Sequence, residues 1–303
     1  MSLVECIPNF SEGRRQWVVD AIAESIRASS VHVLDVNLDY DHNRSVITFA
    51  GEPTAVADAA VAAVRTAAAH IDLRTHSGVH PRIGAADVVP FVPLRDVTMA
   101  ECVALAHAVG QRVAGLGIPV YLYEAAAQRP ERCDLAYVRR GGYEALVREI
   151  DLPERQPDYG AALIGAAGAV AIGARAPLIA FNAYLDTDDV EIAKVIAKTI
   201  RTSGGGLPYL KAIGVLVNGQ AQVSMNMTDF RQTSLYTIMT RLHAEAAAHD
   251  TRVTHTELIG LTPQAALLDY AMESLGLPLT TRQRTLESRL GEVTGDFRPL
   301  TFE

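Results

Sequence analysis

Apolar positions along the first half of the chain fall into short runs separated by stretches of helical period. Leu3 to Ile7 is the first run, an expected strand stopped by Pro8 and Asn9. Between Arg14 and Ser29, Val18, Ile22 and Ile26 recur every four positions, which predicts a helix with one buried side. Val31 to Val36 returns to a strand-like run. The polar stretch Asn37 to Arg44 leads into a strand over Ser45 to Phe49, Gly51-Glu52-Pro53 turns the chain, a helix is expected from Thr54 to His70, and Asp87 to Val92 closes the set. The order is β-α-β-β-α-β, the split βαβ arrangement of ferredoxin-like folds, with both helices on one face of the sheet.

The second half repeats that order. Leu178 to Leu185 reads as a strand, followed by a helix from Asp188 to Thr202 with Asp188 as N-cap and Ile192, Val195 and Ile196 on its buried side. Strands at Ala212 to Val217 and Ala221 to Met225 flank Asn218-Gly219, a strong hairpin signal. A helix over Ser234 to His249 and a strand over Val253 to Leu258 complete the unit. The expected fold class is therefore α+β, two ferredoxin-like subdomains packed around a substrate cleft, spanning 1–177 and 178–303. Further helices are expected at 97–116, 142–150, 263–273 and 281–290, and Arg155 to Asp158 reads as the linker.

Composition narrows the setting. A chain of 303 residues, 49% apolar and 20% charged, is long enough for two units and needs no staple to bury a core. Three cysteines, Cys6, Cys102 and Cys133, are an odd number without Cys-x-x-Cys spacing, so they read as buried thiols of a reducing compartment. The N-terminus lacks the basic and apolar regions of a secretory leader, which makes the cytoplasm the expected location. With 27 basic against 35 acidic residues the formal charge is −8, which argues against nucleic acid or an anionic membrane as partner. A small anion remains compatible, because local arginines can dominate a cleft.

Chemistry concentrates in three segments. Arg74-Thr75-His76-Ser77-Gly78-Val79-His80-Pro81-Arg82-Ile83-Gly84 holds two imidazoles and two further guanidiniums besides its breakers. Gly78 and Pro81 prevent His76 and His80 from sharing a helical face as a zinc pair, so no metal is expected. An acid-base histidine is the sharper reading beside that of solvated loop residues. In Asn37 to Arg44, Asp39, Asp41 and His42 lack the glycine and terminal glutamate of a calcium loop and read as a polar turn, whereas Arg44 is placed to clamp a substrate carboxylate. Gly160 to Ala174 is rich in small residues and matches no nucleotide motif, which leaves tight packing and close approach to a flat ligand both open.

The motifs Leu3-Val4-Glu5-Cys6-Ile7-Pro8-Asn9-Phe10-Ser11-Glu12-Gly13, Asn43-Arg44, His80-Pro81-Arg82-Ile83-Gly84-Ala85, Pro119 to Tyr123, and Ala171 to Arg175 followed by Leu178 to Asn182 stand in one order along the chain. Together they closely resemble the formiminotransferase part of formiminotransferase-cyclodeaminase. The resemblance runs to about Leu290 and implies two ferredoxin-like subdomains with a substrate tunnel, a homodimer, and no cyclodeaminase activity. It implies a glutamate formimidoyltransferase that moves the formimino group between N-formimino-L-glutamate and tetrahydrofolate, the co-substrate, in histidine degradation. By resemblance the catalytic histidine is His80, and the folate segment is Gly160, Ala161, Ala162, Leu163, Ile164, Gly165, Ala166, Ala167, Gly168 and Ala169. Arg44 and Arg82 are the expected donors to the glutamate carboxylates. Animal relatives differ in an acidic residue near Asn37 and in a Ser/Pro/Trp-containing stretch at 164–168. The alternatives are a folate-dependent formyl-group enzyme acting on glutamate or 5-formyl-tetrahydrofolate, and a nonenzymatic folate-binding protein.

Overall fold

The computed structural model describes residues 2–40, 42–78, 81–295 and 297. The chain divides into two compact units, Met1–Ala176 and Pro177–Glu303.

The first unit contains β1 (Leu3–Cys6), β2 (Asn9–Phe10), α1 (Gln16–Arg27), β3 (His32–Asp39), β4 (Arg44–Gly51), α2 (Pro53–His70) and β5 (Ala86–Arg95). It continues with α3 (Met99–Ala114), β6 (Val120–Glu124), α4 (Leu135–Val138), α5 (Gly142–Glu149) and β7 (Val170–Ala174). The first strand pairs antiparallel with both β4 and β5, and β3 pairs with β4, so these strands lie in the order β3-β4-β1-β5. That is the arrangement expected of the split βαβ motif. The apolar period of α1 works as read: Val18, Ile22 and Ile26 are buried, joined by Val19 and Ala23. A capping box starts α3. The Thr98 hydroxyl accepts from the Glu101 N–H at 3.2 Å, and the Glu101 carboxylate accepts from the Thr98 N–H at 2.6 Å.

Two strands extend this sheet beyond the expected motif. Parallel to β5 runs β7, and β6 pairs parallel to β7 on its far side. Val170–Ala174 is buried throughout and shows no alternation. Parallel strands covered on both faces lack a period-two signal, so the sequence presents β7 only as the tail of its small-residue run.

The second unit holds β8 (Ile179–Leu185), α6 (Val190–Ile200), β9 (Leu210–Val217), β10 (Gln220–Met227), α7 (Leu235–Ala248), β11 (Val253–Ile259), α8 (Gln264–Ser274) and α9 (Leu286–Thr294). Its sheet order, β11-β8-β10-β9, repeats that of the core of the first unit. The β9–β10 hairpin closes at Asn218 and Gly219, whose φ values of 50° and 77° suit a turn with both central residues left-handed.

Several details differ from expectation. The N-cap of α6 is Asp189, whose side chain accepts from the Glu191 N–H, and Val195 is exposed while Ala193, Ile196, Ala197 and Ile200 are buried. The stretch expected as one helix over 281–290 is a 3-10 turn at Leu279–Arg284 and then α9, capped by Thr285. Arg155 to Asp158 is no linker, since Arg155 is buried and ion-paired with Glu149, and Asp158 pairs with the buried Arg132 at 2.6 Å. Cys133 is exposed, unlike Cys6 and Cys102.

Candidate functional site

In the first unit α1, α2 and α3 pack on one face of the sheet, where Val4, Cys6, Ile47, Phe49, Val89 and Phe91 join their core. Alternation turns the intervening residues to the second face. On β1 and β2 these are Glu5 and Asn9. Arg44, Val46 and Thr48 follow on β4, with Asn37 opposite Val46 on β3. On the parallel side Gly173 pairs with Pro90 and with Tyr123. A Cβ at Gly173 would lie 2.6 Å from the Tyr123 ring, so glycine leaves the space that ring occupies. The Arg175 guanidinium lies beside the Tyr123 phenol, which burial pushes up to about 12. Four of the five sequence motifs thus send side chains to one face.

At one end of this face a register shift in β5 opposite Asn9 and Phe10 brings Asp87 beside Arg44. Asp87 is fully buried, and its carboxylate accepts from Arg44 Nη1 at 2.9 Å, Arg139 Nη2 at 2.5 Å and the Ile83 N–H at 2.8 Å. Burial alone would raise this carboxyl, but Arg139, Arg44 and the Ile83 N–H outweigh it and hold it below the ordinary range. Burial lowers Arg44 to about 10 despite Asp87. Two guanidiniums against one carboxylate leave this buried cluster one positive charge in excess. Arg44 commits three N–H groups, one to Asp87 and two to Asn9 Oδ1 at 2.8 and 3.3 Å. The Arg139 Nε–H is buried and has no acceptor among the described residues. The sequence reading misses Asp87 and Arg139. Its available signal was one acid inside the apolar run Ala85 to Val92.

The loop after α2 is pinned from several sides. His76 Nδ1 lies 2.8 Å from Arg82 Nε, and its Nε2 lies 3.2 Å from the Asn43 carbonyl. A guanidinium only donates and a carbonyl only accepts, so His76 is neutral with its proton on Nε2. Burial, opposed by the Asn43 contact and assisted by Arg82, lowers its pKa accordingly. His76 is thus a strut with both nitrogens committed. Arg82 also donates to the His76 carbonyl and to both oxygens of Glu144, which leaves no free fork for a carboxylate. Asn43, at φ 47°, accepts from the Gly13 N–H at 3.0 Å and donates to the Ser77 carbonyl at 3.0 Å. His42 holds Asp39 Oδ2 at 2.6 Å through Nδ1. His80 lies outside the described residues, between Gly78 and Pro81.

The Gly160 to Ala169 segment meets this loop at its far end. The Ala167 carbonyl accepts from the Ala85 N–H at 2.8 Å, the Ala169 N–H donates to the Ile83 carbonyl at 2.8 Å, and the Ala166 carbonyl accepts from the Leu73 N–H at 2.8 Å. Only missing side chains allow this approach. A Cβ on Gly84 would lie 1.8 Å from the Ala169 carbonyl oxygen, and one on Gly168 would lie 2.2 Å from that of Ile83. Earlier in the segment, Gly160, Ala161, Leu163 and Gly165 are exposed. Tight packing and an accessible surface therefore both occur, in consecutive parts of one segment.

A cavity of about 260 Å³ opens behind the loop, lined by Glu12, Arg14, Asn43, Asp72, Thr75 and His76. The second unit holds an apolar cavity of about 320 Å³, lined by Phe181, Leu235, Met239, Leu258, Leu267 and Tyr270. It offers hydroxyls but no imidazole or carboxylate. Among the described residues no cluster of three or more His, Cys, Asp or Glu side chains could hold a metal ion. No helix of those residues is long and apolar enough to cross a membrane.

Fold and site define an α+β protein of two repeated split-βαβ units, with a histidine- and arginine-bearing loop pinned to one sheet. The chain belongs to the formiminotransferase domain family: residues 3–175 match its N-terminal subdomain and residues 180–275 match the formiminotransferase domain. It is 47% identical over 274 residues to a glutamate formimidoyltransferase of Streptococcus pyogenes serotype M1, covering 89% of this chain and 92% of that protein. A glutamate formimidoyltransferase of Thermoplasma acidophilum is 47% identical over 283 residues, 91% of this chain and 93% of its own. The rat formimidoyltransferase-cyclodeaminase is 44% identical over 280 residues, which are 89% of this chain and 52% of the rat protein.

Proposed function

We propose that this protein is a glutamate formimidoyltransferase, moving the formimino group between N-formimino-L-glutamate and tetrahydrofolate. The observation that carries the reading is near full-length similarity at 47% identity to two glutamate formimidoyltransferases. The geometry supports it, because motifs distant in sequence gather on one sheet face and on one loop.

In the proposed reaction N5 of tetrahydrofolate attacks the amidine carbon and a tetrahedral intermediate forms. The C–N bond to glutamate then breaks as the departing nitrogen takes up a proton and N5 loses one. His80 is the proposed carrier of that proton, a task suited to an imidazole near neutrality. His76 is unsuited, because protonating Nδ1 would expel Arg82. Arg44 is the proposed primary donor to the substrate carboxylates, with the unsatisfied Arg139 Nε–H beside it. Arg82 joins them only by releasing Glu144. The segment Gly160 to Ala169 is the proposed folate contact through its exposed first part. The same reading takes tetrahydrofolate as co-substrate without a metal, a homodimer as the assembly, histidine degradation as the pathway and the cytoplasm as the setting.

The test is donor choice. Incubated with tetrahydrofolate, the protein should release glutamate from N-formimino-L-glutamate at least about a hundredfold faster than from N-formyl-L-glutamate, as a buried polar site rejects an analogue that leaves its groups unpaired. Preference for the formyl donor would overturn the assignment. Tetrahydrofolate binding without release from either donor would favour a binding protein.

A further inference from the structure

Of the pair Asn43-Arg44 singled out in the sequence, the proposed chemistry uses only the arginine. Asn43 ends the turn between β3 and β4 and is 8% exposed, with its φ of 47° in the left-handed region. All four of its polar atoms are committed. Its N–H donates to the Tyr40 carbonyl at 3.3 Å, and its carbonyl accepts from His76 Nε2 at 3.2 Å. Oδ1 accepts from the Gly13 N–H and Nδ2 donates to the Ser77 carbonyl, both at 3.0 Å. The turn is closely packed on two sides. A Cβ on Gly13 would lie 2.1 Å from the Asp39 carbonyl oxygen, and one on Gly78 would lie 2.5 Å from that of His42.

Chemistry singles out asparagine at this position. A left-handed φ disfavours L residues, with Gly and then Asn and Asp as the usual exceptions. Of these three only asparagine carries an acceptor and a donor on one short group. Aspartate has no proton for the Ser77 carbonyl, and glycine reaches neither side. The two contacts bridge 30 residues back to Gly13 and 34 residues forward to Ser77.

What lies on either side of the amide gives it a task. Arg44, the next residue, is held on the sheet face by Asn9 and Asp87, and Ser77 stands three residues before His80 in the sequence. On the transferase reading, on which this inference rests, one small donor molecule meets both, its carboxylate at Arg44 and its amidine at the proton carrier. The loop must then keep its place against β4 during transfer, where a misplacement of about 1 Å costs about a hundredfold in rate. We propose that Asn43 is a positioning residue for formimino transfer, its amide tying the loop at Ser77 to the strand that begins with Arg44.

Two substitutions separate the amide from the backbone. Asn43→Gly keeps the left-handed turn and the carbonyl that His76 meets, and removes both side-chain contacts. Asn43→Asp keeps the acceptor for Gly13 and sets an oxygen against the Ser77 carbonyl. Assayed well below the melting temperature with N-formimino-L-glutamate and tetrahydrofolate, each should lower kcat by about 10–100-fold. KM for formiminoglutamate and the Kd for tetrahydrofolate should stay within about threefold of wild type. A purely structural asparagine would lower Tm and leave kcat within about threefold, and that result in folded protein overturns the proposal. Wild-type kcat in Asn43→Asp alone overturns it too, since the Ser77 contact would then have no role. Combination with His80→Asn gives a second readout. With the proton carrier gone, either change at Asn43 should lower kcat by no more than about threefold further, because residues that act as a unit are not additive. A fully multiplicative loss contradicts the proposal. Asn43→Gly carries the test if Asn43→Asp does not fold, and if neither folds the residue is structural and the proposal falls. The transferase reading fails separately, in wild type, if no transfer occurs at all.

Discussion

Replacing Asp87 with asparagine tests the buried charge cluster that holds the loop to the sheet. The asparagine side chain retains an oxygen for the Ile83 N–H, so the change isolates the charge. Asp87 is fully buried between Arg44 and Arg139, whose side chains are 9% and 15% exposed, so solvent screens the cluster little. Removing one partner of a buried ion pair costs about 3–5 kcal/mol, because the remaining charge loses its counter-ion. For a domain of this size each kcal/mol shifts Tm by about 2–4 °C, which predicts a fall of ~6–20 °C at neutral pH. The sign with pH follows from the depressed carboxyl of Asp87. Its contribution is fully present above the ordinary value of 3.8 and is lost as pH falls through the lower folded value, so the variant should lack that acid limb. Adding Arg139→Met should recover part of the loss by removing an unpaired guanidinium. Calorimetric melting of the three proteins between pH 3 and 8 reads all of this, and a shift of less than about 2 °C in Asp87→Asn would refute the reasoning.

Four further substitutions probe the loop and the residues around it. Gly84→Ala should lower Tm by several degrees and slow turnover, since its Cβ meets the Ala169 carbonyl oxygen at 1.8 Å; Gly165→Ala, with no atom within 4 Å, should leave Tm unchanged, and equal melting of the two would show that the approach is not tight. His76→Gln should flatten stability with pH: the lowered folded pKa of His76 makes stability fall as pH drops below 6.5, because the unfolded chain takes the proton first, and a melting series that keeps this slope in the variant sinks that view. Arg44→Lys should raise KM for formiminoglutamate more than KM for tetrahydrofolate, since a lysine cannot reproduce the fork, and equal effects on both would refute its assignment.

How much of this was legible depended on the kind of signal each element carries. Amphipathic elements such as α1, and the Asn218-Gly219 hairpin, write their periodicity or turn chemistry locally, and they stand where the pattern puts them. Parallel β7, buried on both faces, has no such signature. The loop rich in histidine and arginine was conspicuous, but the division of labour within it was not. Only geometry distinguishes His76, with both nitrogens committed, from a histidine free to exchange a proton, and only geometry shows Arg82 tied to Glu144. Asp87 was hidden because the partners that give it meaning, Arg44 and Arg139, lie 43 and 52 residues away.

The central claim is that this loop carries the proton during formimino transfer, and His80→Asn tests it most directly. Asparagine can donate and accept hydrogen bonds but cannot exchange a proton near neutral pH. Measured with N-formimino-L-glutamate and tetrahydrofolate, kcat of the variant should fall by about 10²–10⁴ while the Kd for tetrahydrofolate stays within about twofold of wild type. A variant that keeps more than about a tenth of wild-type kcat would contradict the claim.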